Sequence, residues 1–239
     1  MRALLFIFIL IQHQLFPLVS CFEVVEGPAK LLWATLVAEY EVKGSDETTR
    51  QLGELAERAW NEFHEHDRKK AASDGNNNKG DRFYAYQVKN YQRLYNCKEF
   101  EWLKEVMAKV MGRALETFYN LQITRDQKAN IFCWATYGGG DASDTFHPPH
   151  FHRNSVLSAV FYVSAPPTSA PLTLMDPRTG TGNIHELQPR EGLVTVFPST
   201  LLHYIGNSPP GARRISYSCN LPGQTNDPWM ETSSLGLEV

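Results

Sequence analysis

From Asn130 onward, apolar residues recur at every second position in short runs cut by turn signals. This feature constrains the chain most. A period of two belongs to strands with one face buried, and a period near 3.6 belongs to helices. Candidate strands cover residues 130–137, 156–164, 172–175, 183–187, 193–197, 201–205 and 214–220. Between them lie Gly138-Gly139-Gly140, Pro166-Pro167, Thr179-Gly180-Thr181-Gly182, Arg190-Glu191-Gly192 and Ser208-Pro209-Pro210-Gly211. Short strands at this spacing predict a sandwich or jelly roll.

The first half reads differently. Residues 22–42 suit one or two strands. Acidic Asp46 and Glu47 mark a helix start, and Leu52, Leu55, Ala56, Ala59, Trp60 and Phe63 keep helical spacing. His64 and His66 close that helix two positions apart. Helical residues so spaced face away from each other, so the pair reads as solvated rather than as a ligand pair. Residues 69–81 are polar and rich in Gly and Asn, a surface loop, and 82–88 suit a short strand. A second helix is predicted over 98–120, with Phe100, Leu103, Val106, Met107, Val110, Met111, Leu115 and Phe118 on one side. Two amphipathic helices before a strand-rich half predict an α+β, mainly β, architecture with N-terminal helices buttressing one sheet face.

Arg2 precedes an apolar run from Ala3 to Ile11, too short for the about 20 residues a membrane span needs. With Val19-Ser20-Cys21 after it, the segment reads as a secretory signal peptide over 1–21. A buried first helix, or a lipoprotein box with Cys21 lipidated, are the alternatives. Residues 22–239 then form a single domain whose barrel core spans about 130–220, of ordinary size. A net charge of −3 disfavours nucleic acid and anionic membranes as partners. Cys97, Cys133 and Cys219 form no zinc motif. Cys133 and Cys219 lie in apolar runs, where cysteine serves as a small hydrophobe. A disulfide between two of the three is compatible with a secretory compartment.

His150-Phe151-His152 places two imidazoles two residues apart. On a strand both face the same way and can reach one ion. His203 lies beside another candidate strand and can supply a third ligand. Three ligands on one side of an ion leave the other side open, as in non-haem iron sites, although zinc accepts the same donors. His147 and Asp144 are lower-ranked competitors, and His185 reads as a surface residue. In the last strand, Arg214, Ser216, Ser218 and Asn220 share one face. An ordinary edge strand with a polar solvent face has this pattern. So does a strand whose polar face lines the barrel, with Arg214 paired to a carboxylate and Ser216 adding a hydroxyl. The spacing from His203 predicts both groups at one end of adjacent strands.

Taken together these residues resemble the 2-oxoglutarate- and Fe(II)-dependent oxygenases, in particular a group with an H-x-H-P-x-S-x-x-S-G-x-Y-Y core. This chain carries the core from His150 through Ser155 and Ser158 to Phe161 and Tyr162, with Arg153 in place of Pro and Ala159 in place of Gly. Asp176-Pro177-Arg178, the run from Gly192 to His203, and Arg214-Ile215-Ser216-Tyr217-Ser218-Cys219-Asn220 match further family motifs. Trp134-Ala135-Thr136 stands where the family has W-x-N. The segment from Gly138 to Pro149 is longer than usual. The resemblance covers about residues 131–220. It implies a double-stranded β-helix (jelly-roll) barrel, with Fe(II) held by His150, His152 and His203. It also implies 2-oxoglutarate held through its distal carboxylate by Arg214 and Ser216, and O₂ as second co-substrate. The implied activity is a dioxygenase, an oxidoreductase that hydroxylates a small molecule or peptide and releases succinate and CO₂. A cupin-like three-His iron dioxygenase independent of 2-oxoglutarate, and a non-catalytic binding module on the same barrel, are the rival readings.

Overall fold

The computed structural model describes residues 30–32, 35–43, 47–59, 61, 98–138, 146–178, 180–209 and 212–223. The expected signal peptide, the 69–81 loop, the 82–88 strand, His64, His66, Cys21, Cys97 and Asp144 lie outside them.

Among the described residues the first elements are β1 (Lys30–Leu32) and β2 (Thr35–Glu41), followed by a helix α1 over residues 47–59. Two helices come next, α2 (Lys98–Tyr119) and α3 (Arg125–Ala129). Eight strands follow: β3 (Phe132–Gly138), β4 (His147–His150), β5 (Ser155–Ser164), β6 (Leu172–Met175), β7 (Ile184–Leu187), β8 (Leu193–Pro198), β9 (His203–Ile205) and β10 (Arg214–Pro222). They build a six-stranded sheet, ordered β1-β2-β8-β5-β10-β3, and a four-stranded sheet, ordered β4-β9-β6-β7. Every pairing is antiparallel. This is the expected double-stranded β-helix.

Alternation decides what each face of the large sheet meets. Ala159, Phe161, Val194, Val196, Tyr217 and Cys219 pack against the helices. Val160, Tyr162, Leu193 and Phe197 point the other way and join Leu172, Leu174, Leu187 and Ile205 of the small sheet in the barrel interior. The helix α2 covers the outer face with Phe100, Leu103, Met107, Met111, Ala114 and Leu115, all at i, i+3, i+4 spacing. It stops at Asn120, whose φ of 55° lies in the left-handed region that ends helices and that Asn tolerates. The Thr124–Gln127 capping box starts α3, and Gln127 Nε2 donates to Pro222 O at the end of β10. The helix α1 is tied to the same strand. Tyr217 Oη donates to Leu52 O at 2.9 Å, and Arg213 pairs with Glu57 at 2.6 Å.

Cys133 and Cys219 sit opposite each other on β3 and β10 and form a disulfide, resolving the pairing the sequence leaves open. Both are fully buried beneath α2. Replacing both by alanine is expected to lower stability by roughly 2–5 kcal/mol, through lost constraint on the unfolded chain. A lowered urea midpoint with a steeper slope, because the unfolded chain without its cross-link exposes more surface, checks this.

Candidate metal and acid-binding site

The strand β4 is not expected from the sequence, because Pro148-Pro149 removes two backbone donors. It is an edge strand, where missing donors are tolerated. His147 pairs with Ile205 and His150 with His203, with a bulge between them. Residues three apart on a regular strand face opposite ways. The extra residue in the bulge turns both imidazoles inward. The chain then leaves the strand, so His152 lies just beyond β4 rather than on the same strand face as His150. Its backbone N–H donates to Ser199 O at 2.9 Å, and the Arg153-Asn154 turn follows, with Asn154 at a φ of 60°.

The three expected histidines meet. Nitrogens of His150, His152 and His203 lie within 4.8 Å of one another. The ring centroids are 5.2 Å apart for His150 and His152, 4.3 Å for His150 and His203, and 5.1 Å for His152 and His203. Each ring has its Nδ1 engaged by an oxygen. His150 Nδ1 lies 2.7 Å from Pro148 O, His152 Nδ1 2.7 Å from Asn220 Oδ1, and His203 Nδ1 2.8 Å from Leu201 O. Carbonyl oxygens only accept, so each Nδ1 carries the proton and each Nε2 keeps a lone pair. Burial lowers the pKa of all three rings, to about 3 for His203. Neutral imidazoles with Nε2 lone pairs converging are donors suited to a divalent transition metal.

Behind His152 sits a hydroxyl–amide network. Ser158 Oγ is 3.0 Å from His152 Nδ1, donates to Asn220 Oδ1 at 2.8 Å, and is 2.9 Å from Ser199 Oγ. Trp134 flanks the ring at 5.4 Å. The alternation on β10 places Asn220 on the correct face, but nothing in the sequence pairs it with His152. Asn220→Ala is expected to weaken metal binding about 10- to 100-fold, the usual cost of losing a group that orients a ligand. Competition against a chromophoric chelator measures it.

Burial also holds His147 at about 3, below the ordinary 6.5. For His147 and His203 the folded state resists protonation that the unfolded chain accepts below pH 6.5. The contribution of these two rings to the stability of the metal-free protein therefore rises with pH between about 3 and 6.5 and is flat above. It is expected to be lower by roughly 2–4 kcal/mol at about pH 5 than at about pH 7.5, read by urea melts in chelator.

Arg214 and Ser216 are both buried, at 3% and 1% exposure, on the interior face of β10. The barrel-lining reading of that strand holds, and the solvent-facing one does not. Arg214 and His203 do not sit on adjacent strands as expected. The strands β10 and β9 belong to the two different sheets and face each other across the barrel. The Nε and one Nη of Arg214 are buried without a hydrogen-bond partner among the described residues. Its guanidinium carbon lies 5.4 Å from the Tyr162 ring centre. Tyr162 Oη and Thr195 Oγ1 are also buried without a hydrogen bond of good geometry among the described residues, although Tyr162 lies near enough to Thr195 and Arg214 for both to act on its hydroxyl. Tyr162 opposes Ser216 on β5, and Thr136 opposes Ser216 on β3. Burial lowers the pKa of Arg214 and raises that of Tyr162. A guanidinium and two hydroxyls desolvated together, with no anion paired to them among the described residues, fit a carboxylate brought in by a ligand. Tyr162 and Thr195 are missed as candidates from sequence because hydroxyl-bearing Tyr and Thr are also good strand formers.

Two further residues settle differently. The Asp176 side chain, 1% exposed, accepts from Arg178 and Asn183. Hydrogen bonds from Arg178 hold its carboxyl well below the usual range, so this motif locks the β6–β7 turn. His185, expected at the surface, sits on β7 opposite Leu174 and is half-buried, with its Nε2 shielded. It shares the inward face of that cross-strand row.

Three imidazoles clustered in the same barrel as a buried guanidinium suit a divalent metal such as Fe(II). Residues 133–220 match the model of the family described as "Putative 2OG-Fe(II) oxygenase". No curated protein matches the chain. Among solved structures, the chain is similar to a Pseudomonas putida prolyl-4-hydroxylase. That match has a TM-score of 0.50 and 15% identity, covering 79% of this chain and 88% of that one. It is also similar to AviO1 from Streptomyces viridochromogenes Tue57 (0.47, 12%, 80% and 91%). A third is a Trichoplax adhaerens prolyl hydroxylase in complex with a hypoxia inducible factor peptide fragment (0.42, 14%, 59% and 61%). Fold, motif match and histidine triad agree: residues 133–220 match the 2-oxoglutarate- and Fe(II)-dependent oxygenases, a family of oxidoreductases that work with Fe(II), 2-oxoglutarate and O₂.

Proposed function

We propose that this chain is a dioxygenase that hydroxylates a small-molecule or peptide substrate and releases succinate and CO₂. His150, His152 and His203 would hold Fe(II). Arg214 and Ser216, with Tyr162 and Thr195, would hold the distal carboxylate of 2-oxoglutarate. When bound, the iron and the oxo acid together supply the oxidant derived from O₂. The carrying observation is that ring nitrogens of three histidines lie within 4.8 Å of one another while two nitrogens of a buried guanidinium in the same barrel have no partner among the described residues.

The chain's own groups do the rest. Nδ1 contacts fix each imidazole in the tautomer that leaves Nε2 free. Arg214 sets the orientation of the acid, and the apolar wall of Val160, Leu174, Phe197 and Ile205 excludes water around it. Three neutral imidazole ligands would leave the full dipositive charge of a bound Fe(II) uncompensated, which would favour a dianionic co-substrate. Formation of succinate matched to O₂ uptake, with Fe(II), 2-oxoglutarate and a metabolite and peptide panel, tests the reading. Oxygen uptake without 2-oxoglutarate would favour the cupin-like reading instead. The Cys133–Cys219 disulfide supports the expected passage through the secretory pathway.

A further inference from the structure

His147 is a fourth imidazole at the site and belongs to neither group described above. Its ring packs against that of His150 in a tilted arrangement, with centroids 4.1 Å apart and an interplanar angle of 36°. It is 9% exposed. Among the described residues, the nitrogens within 4.8 Å of one another come from His150, His152 and His203, and His147 is not in that set.

Register shows which way it lies. The strand β9 starts at His203, just past the Ser199 turn, and runs through Ile205 toward the loop that leads into Arg214. His150 opposes His203, whereas His147 opposes Ile205. His147 is therefore displaced from the triad along the barrel toward Arg214. The facing sheet runs the same way, from Ser158 and Asn220 beside His152 to Tyr162, Ser216 and Arg214. A dicarboxylic oxo acid reaching from the triad to the guanidinium has to pass this level. The two prolines between His147 and His150 have restricted backbone angles, and the bulge aims both rings inward. The ring is thus held in place before any ligand arrives.

We propose that His147 contacts the 2-oxo acid between the metal triad and Arg214 and fixes its position by a hydrogen bond, without ligating the metal. This inference rests on the reading under Proposed function. An imidazole offers both a donor and an acceptor, so it can serve a carboxylate or keto oxygen.

The test uses the full chain loaded with Zn(II), which accepts the same donors and does not turn over. Binding of 2-oxoglutarate and of Zn(II) is measured separately by calorimetry, for wild type, His147→Phe and His147→Leu. His147→Phe keeps ring packing and removes the nitrogens. The expected result is about tenfold weaker 2-oxoglutarate binding, as for loss of one buried hydrogen bond to a charged group, with Zn(II) affinity unchanged. Unchanged 2-oxoglutarate affinity overturns the proposal. A loss of Zn(II) affinity equal to that of His150→Ala overturns it too, by making His147 a ligand. Should neither variant fold, ¹⁵N-histidine NMR of the wild-type Zn(II) protein decides. His147 ring signals that move on adding 2-oxoglutarate support the proposal, and unmoved signals overturn it. Wild type that binds Zn(II) but no 2-oxoglutarate overturns the reading beneath it, and the inference with it.

Discussion

Arg214→Ala is expected to weaken 2-oxoglutarate binding about 100-fold or more, while metal affinity changes by less than about threefold. A buried, charge-assisted pair lost on one side costs about 2–5 kcal/mol, and each 1.4 kcal/mol is tenfold. Stability should move the opposite way from affinity. In the free protein the guanidinium is buried and two of its nitrogens have no partner among the described residues. Removing an uncompensated charge relieves that desolvation, so the metal-free variant should melt no lower than wild type, the cavity notwithstanding. Calorimetric titration with 2-oxoglutarate and a thermal melt on the same sample separate the two effects. A variant that binds the acid as wild type does would remove Arg214 from the site.

His203→Ala is expected to lower metal affinity by more than about 100-fold. Loss of a mere supporting partner already costs 10- to 100-fold, and a ligand contributes more. His203 is the most telling of the triad. It is 4% exposed, its Nδ1 is held by Leu201 O, and it is the triad member that comes from the other side of the sequence gap. His150 and His152 alone are close in sequence and would bind a metal weakly as an isolated pair. Equilibrium dialysis with Zn(II) and Fe(II) measures the loss. Residual affinity near wild type would mean that another group, with His147 the nearest candidate, completes the site.

Much of this was legible in the sequence because single-sheet patterning leaves a clear trace. The strands β5, β6, β8 and β10 follow from short runs of strand-forming residues cut by turn signals, and α2 from helical spacing, each within two residues of its observed end. Arg214, Ser216 and Asn220 fall on one face by strand alternation. What alternation cannot show is which sheet a strand joins. His203 and Arg214 look like neighbours across a tight turn, yet they come from opposed sheets. Nor does alternation survive a bulge. Pro148-Pro149 hides β4, and with it the reason His147 faces inward. Partner choice was equally hidden. Asn220 lies 68 residues from His152, and Tyr162 and Thr195 announce themselves only when the barrel leaves their hydroxyls buried without a hydrogen bond of good geometry among the described residues. The disulfide was a pairing among three cysteines until the β3–β10 register set Cys133 opposite Cys219.

The central claim is that one barrel holds a metal at His150, His152 and His203 and a 2-oxo acid reaching from that metal to Arg214. Anaerobic addition of Fe(II) and then 2-oxoglutarate tests it most directly, by the visible charge-transfer absorption that a chelated 2-oxo acid gives with Fe(II). The prediction is an absorption that saturates in proportion to the chain, is absent in His203→Ala, and needs about 100-fold more acid in Arg214→Ala. A wild-type protein that binds Fe(II) tightly yet shows no such absorption at saturating 2-oxoglutarate would contradict it.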